Sequence, residues 1–166
     1  MRSDLGTINA TDSGDDVILR RELRHPIDVV WAALTEPDQL AVWLMETSVL
    51  ELRVGGAIGF NEEGMGPPGT ITELTPPSVL EYTRTTGHEP PHSTVRFKLT
   101  EAAGSTTLTL THSRNPSGTT VLDHAAGWQA HLDWLSAQLD EQPLPDFWNL
   151  FHELRPEYAE IHPSGI

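Results

Sequence analysis

Residues 119–140, TTVLDHAAGWQAHLDWLSAQLD, decide the reading of this chain. The apolar positions Val121, Ala125, Trp128, Leu132, Leu135 and Leu139 recur at alternating spacings of four and three. That period draws one continuous stripe along a helix. So large an apolar face needs a large apolar surface to lie on. The residues before it supply short alternating segments that read as strands.

Working backwards, Leu108, Leu110 and His112 share one face of a strand, with Thr107, Thr109 and Thr111 on the other. Val95, Phe97 and Leu99 alternate with Arg96 and Lys98, and Ala103-Gly104 joins the two segments. Val79 to Arg84 and Thr70 to Leu74 read as strands joined through Pro76-Pro77-Ser78. Val49 to Val54 and Ala57 to Asn61 read as a hairpin closed tightly at Gly55-Gly56. The segments Glu62 to Pro68 and Thr85 to Pro91 are loops, placed to gate an entrance between helix and sheet.

Nearer the start, Val17 to Arg24 reads as a first strand, broken at His25-Pro26. Ile27, Val30, Trp31 and Leu34 then trace one helix, and Leu40, Trp43 and Leu44 a shorter one after Glu36-Pro37. Residues 1–14 are polar and read as a flexible arm. Residues 15–141 form the domain. Residues 142–166 are an extension with a further helix around Phe147 to Leu154, interrupted at Pro156, that packs on the domain or on a dimer partner.

Such alternation gives an antiparallel sheet with one wet face, so the class is α+β: a curved sheet of about seven strands wrapped on the long helix. Ile18, Leu52, Phe60, Ile71, Tyr82, Phe97 and Leu110 are the expected core or cavity wall.

Composition narrows the chemistry. A net charge of −14 over 166 residues is repelled by phosphate backbones, which argues against nucleic acid and anionic membranes as partners. The absence of cysteine excludes disulfides, thiolate catalysis and thiolate metal sites. No apolar leader or run of membrane-spanning length is present, so a cytoplasmic location is the expectation.

Several groups of residues resemble one family. His25-Pro26 with Val29 to Pro37, Leu40 to Leu44, the Gly55-Gly56 pair with Ala57 to Phe60, Gly69 to Leu74, Pro76-Pro77 with Leu80 to Thr83, and Gly127-Trp128-Gln129 with its leucines all resemble homologues of the heat-shock-protein-90 ATPase activator. These are a branch of the SRPBCC, or START-like, superfamily. The resemblance runs from about Val17 to Leu139 and implies the helix-grip fold. It also implies a cavity between the long helix and the sheet.

The residues set out to line that cavity are Trp31, Trp43, Phe60, Tyr82, Arg84, Phe97, His112, Trp128 and His131. For the tryptophans the alternative is plain core packing. For His112 and Arg84 it is a place at the sheet rim. His124 and His131 share a helix side around Trp128 but stand about 10 Å apart along the axis, too far for one metal ion. His88 and His92 share a loop with Glu89. No cofactor and no metal are called for, and no catalytic residue is assigned. The primary expectation is a binding protein for a small hydrophobic or aromatic molecule. The alternatives are a cyclase- or hydrolase-like enzyme using His112 with Arg84 or Glu81, and a chaperone-interacting module, for which the chain lacks a basic surface. A homodimer through Phe147, Trp148 and Phe151 is a further expectation.

Overall fold

The computed structural model describes residues 4–61, 66–84, 93–115 and 119–163. The elements run β1 (Thr7–Thr11), β2 (Gly14–Leu23), α1 (Ile27–Thr35), α2 (Pro37–Trp43), β3 (Thr47–Leu50), β4 (Ala57–Phe60), β5 (Gly69–Thr75), β6 (Val79–Arg84), β7 (Ser93–Ala102), β8 (Ser105–Asn115), α3 (Thr119–Leu139) and α4 (Phe147–Ile161). The described strands form one sheet in the order β1-β2-β8-β7-β6-β5-β4-β3, every pair antiparallel. Helix α3 lies along its inner face, as its stripe requires. Val121, Ala125, Trp128, Leu132 and Leu135 are all buried against Leu19, Phe97, Leu99, Leu108 and Leu110. This is the helix-grip architecture.

Local chemistry explains the turns. Ala103 and Gly104 both take positive φ, 52° and 77°, which suits a two-residue hairpin between right-twisted strands. Pro26 precedes α1, and the first free helical N–H, that of Ile27, is met by a Glu101 carboxylate oxygen from β7 at 2.5 Å. Pro37 starts α2 at a position where a missing N–H is harmless.

The structure departs from the sequence reading in four places. Residues Thr7–Thr11, read as part of a flexible arm, pair with β2 as an edge strand and bury Ile8. The hairpin before Gly55-Gly56 is not tight. Strand β3 ends at Leu50, and Arg53 N–H to Glu51 O and Gly56 N–H to Arg53 O turn the chain early. Leu52 is therefore 46% exposed rather than core. Strand β2 turns Val17, Leu19 and Leu23 inward, leaving Ile18 on the outer face. Helix α4 runs through Pro156, whose exposed position leaves the freed carbonyl one turn back to solvent.

The extension packs on its own domain. Leu154 and Tyr158 of α4 are fully buried. The Tyr158 hydroxyl donates to Gln129 Oε1 on α3 and accepts from the Gly6 N–H at 2.8 Å. His162 reaches the buried Asp15 carboxylate at 3.1 Å. Trp148 remains 61% exposed.

Candidate functional site

Strand β8 sends Leu108, Leu110 and His112 inward, and each is fully buried. Behind His112 stands Trp128 of α3. The Trp128 indole Nε1–H donates to His112 Nδ1 at 2.9 Å. An indole nitrogen only donates, so Nδ1 carries no proton. The neutral ring therefore holds its proton on Nε2, which donates to Ser93 Oγ at 2.9 Å. The Ser93 hydroxyl in turn donates to the Arg84 carbonyl at 3.3 Å. Burial, then the neighbouring His124 and Arg84, hold His112 well below the usual histidine range.

In front of this network lies an open cavity of about 110 Å³. Leu44 and Met45, just past α2, form one wall. Arg84 enters from the end of β6, on the same strand face as Leu80 and Tyr82. Helix α3 contributes Asp123, whose carboxylate is bound to Arg155 of α4, and the set His124, Gly127, Trp128 and His131. These four fall at i, i+3, i+4 and i+7, one face of the helix.

Both cavity histidines are oriented from behind. The Asn115 side-chain amide donates to the carbonyls of Asp15 (3.1 Å) and His112 (2.7 Å). That fixes its Oδ1 as acceptor, and His124 Nδ1–H donates to it at 2.5 Å. His131 Nδ1–H donates to the Trp43 carbonyl at 2.9 Å. Each ring therefore has an unprotonated Nε2 left. Neither Nε2 has a hydrogen-bond partner among the described residues. Burial, then the Arg84 charge, push His124 down to about 4. Burial outweighs the Trp43 carbonyl's opposing effect at His131, which also falls to about 4. At neutral pH both are hydrogen-bond acceptors beside a guanidinium donor.

Gly127 sits in the middle of α3, on the cavity wall. A Cβ added there would meet nothing within 4 Å. No neighbour crowds this position, so packing does not require a glycine. The missing side chain leaves open space on the cavity side.

The other residues set out from sequence are distributed unevenly. Arg84, Trp128 and His131 meet at the cavity, with His112 directly behind. Trp43 is fully buried, donating its indole N–H to Ala33 O at 2.8 Å. It packs edge-on against Phe97 at 6.2 Å, and Phe97 packs edge-on against Trp128 at 5.9 Å. These two residues hold the wall up from behind. Trp31 is half-buried against the core and does not line the cavity. Phe60 and Tyr82 line a second, water-sized void of about 20 Å³, which also borders Arg84. Burial raises the Tyr82 hydroxyl's pKa, so it stays protonated.

Glu81 does not join His112. It lies on the outer sheet face, bound to Arg96 at 3.0 Å and to the Thr72 hydroxyl at 2.9 Å. The loop residues 62–65 and 85–92, including His88 and His92, fall outside the described residues, and with them most of the two gating loops. Among the described residues no three His, Asp or Glu side chains converge to hold a metal ion. Among them too, no helix is long and apolar enough to cross a membrane. The sequence reading left out Ser93, Asn115, Gly127 and Met45, and it did not include His124 in the site. The helical period of residues 124, 127, 128 and 131 was the available signal for the α3 face.

The fold and its helix-to-sheet cavity define a helix-grip domain of the SRPBCC type. Residues 24–140 match the model of the family described as "Activator of Hsp90 ATPase homolog 1-like protein", and the chain belongs to that family. CalU16 from Micromonospora echinospora is similar, with 25% identity, a TM-score of 0.77 and 94% of each chain covered. DynU16, a protein in the dynemicin biosynthetic locus, is 25% identical with a TM-score of 0.68, over 80% of this chain and 50% of that one. The Aha1 dimer from Colwellia psychrerythraea shares the fold at 24% identity and a TM-score of 0.65, over 75% of this chain and 95% of that one. No curated protein matches the chain.

Proposed function

We propose that the chain is a small-molecule binding protein whose ligand occupies the cavity between α3 and the rim of the sheet. The observation that carries this is Gly127. A glycine in a helix interior costs roughly 0.5–1 kcal/mol relative to alanine. Here nothing crowds its missing Cβ, and the space it leaves opens on the cavity. Retaining that cost fits a wall kept clear for a ligand. The cavity is slightly smaller than the roughly 150 Å³ that holds a benzene molecule in an engineered apolar core, but it is open on one side. It suits one ring that partly protrudes. Apolar walls from Leu44, Met45 and Trp128, facing a set of placed polar side chains, match the usual character of ligand sites.

The geometry favours binding over the enzymatic reading built on His112 with Arg84 or Glu81, since Glu81 is engaged by Arg96 and Thr72 on the outer sheet face. A nucleophilic Ser93 needs an unprotonated nitrogen facing its hydroxyl. The Trp128 indole instead places the His112 proton on that side. Native mass spectrometry of freshly purified protein tests the binding reading. A mass excess lost on denaturation is expected. A clean apo mass, together with no binding of any one-ring compound by NMR titration, would defeat it.

A second reading, self-association, is supported by the exposed ring of Trp148 on α4 and the exposed Leu144 just before that helix. Sedimentation that depends on concentration in the wild type and not in Trp148→Ser is the expected result. Monomeric sedimentation at all concentrations would remove it.

A further inference from the structure

The cavity's polar groups narrow the class of ligand, an inference that rests on the binding reading above. His124 and His131 each spend the Nδ1–H on a protein acceptor, the Asn115 amide oxygen and the Trp43 carbonyl. Each therefore offers a cavity ligand an acceptor and nothing else. Asn115 cannot reverse its role, because its NH₂ already serves two carbonyls. The His131 orientation is equally fixed, because a backbone carbonyl only accepts. An acceptor pair of this kind rewards a ligand that donates.

Arg84 decides which donor. Its guanidinium lines the same cavity and is always charged. The other charged side chain on the lining, Asp123, is paired with Arg155 at 2.5 Å, so the Arg84 charge disfavours an ammonium group and tolerates a neutral hydroxyl or a partly acidic one. The apolar part of the wall is Leu44, Met45 and the Trp128 ring, which suits an aromatic body. We infer that the ligand is a single-ring hydroxyarene, held with its hydroxyl donating to the Nε2 of His124 or His131. Gly127 lies between these histidines along the helix and admits the ring.

The test uses the full-length protein and three probes of similar size: phenol, toluene and benzylammonium. Binding is followed by long-range ¹H–¹⁵N NMR of the imidazoles and by calorimetry. The free protein should show His124 and His131 as Nδ1–H tautomers and His112 as the Nε2–H tautomer. Phenol should shift the Nε2 signal of His124 or His131 and bind about two- to tenfold more tightly than toluene, the worth of one net hydrogen bond. Benzylammonium should bind most weakly. His124→Phe should lower the phenol preference while still admitting toluene. The tautomer spectrum of the wild type stands even where that variant folds poorly.

Toluene binding as tightly as phenol, or Nε2–H tautomers at His124 and His131, would overturn the hydroxyarene assignment and leave the binding reading intact. Tighter binding of benzylammonium would overturn it as well. No binding of any probe would overturn both.

Discussion

Gly127→Ala separates stability from function at this site. The new methyl meets no atom within 4 Å, so overpacking contributes nothing. Replacing a helix-interior glycine removes backbone entropy from the unfolded chain and is worth about 0.5–1 kcal/mol. For a chain of 166 residues that corresponds to a rise in Tm of about 1–4 °C. The same methyl enters a cavity of only about 110 Å³. Phenol affinity should fall several-fold, and Gly127→Leu, which fills the space, should abolish binding while the protein stays folded. Thermal unfolding by circular dichroism and calorimetric titration of the same samples read both effects. A lower Tm for Gly127→Ala would show that the glycine serves the fold. A raised Tm with unchanged binding in both variants would show that this space is not the site. Either result refutes the reasoning.

Trp128→Phe strands the buried His112 Nδ1 and should cost about 1–3 kcal/mol, as should His112→Phe, which strands the indole N–H. In the double variant both partners are gone, so urea midpoints should give a coupling of about 1–2 kcal/mol; additive losses would show that the bond contributes nothing. Gly69→Ala would place a Cβ 1.7 Å from the Thr83 carbonyl oxygen, so the β5–β6 backbone must part. The expected loss is at least about 1–3 kcal/mol, and a urea midpoint equal to wild type would contradict the packing there. Acidification should also unfold the protein early. His124 and His131 are held down to about 4 when folded, so the unfolded chain binds more protons once the pH falls below the ordinary value of about 6.5. Stability is therefore whole above that value and is lost as pH falls towards 4, by about 2 kcal/mol for each histidine at about pH 5. Urea midpoints that are flat between neutral pH and about pH 5 would count against the buried neutral rings.

The fold was legible because two periods dominate it. The stripe from Val121 to Leu139 and the inward rows Leu80-Tyr82-Arg84 and Leu108-Leu110-His112 each follow the period of their element. What escaped was weakly patterned. Strand β1 buries Ile8 while the other four residues of TINAT stay exposed, and it is fixed by pairing with β2, a long-range partner that local propensity does not contain. Leu52 and Val54 continue an alternation past the end of β3, and only the turn bonds at Glu51 and Arg53 reveal that the strand has stopped.

The site was half legible for a related reason. A side chain's row predicts where it points, whereas its chemistry depends on what meets it there. His112 ends an inward row, so the sequence placed it correctly and offered it as an acid–base group. Trp128 reaches it from a residue 16 positions on, and one indole N–H settles which nitrogen holds the proton. That contact turns a candidate base into a fixed strut behind the wall. His124 and His131 receive the opposite treatment from Asn115 and the Trp43 carbonyl, which leave their acceptor nitrogens unspent. Three histidines of one sequence type thus divide into one structural donor and two acceptors at the cavity. The division follows from their hydrogen-bond partners alone, and under the proposed binding role it puts the acceptor nitrogens on α3 and the charged donor, Arg84, on the sheet.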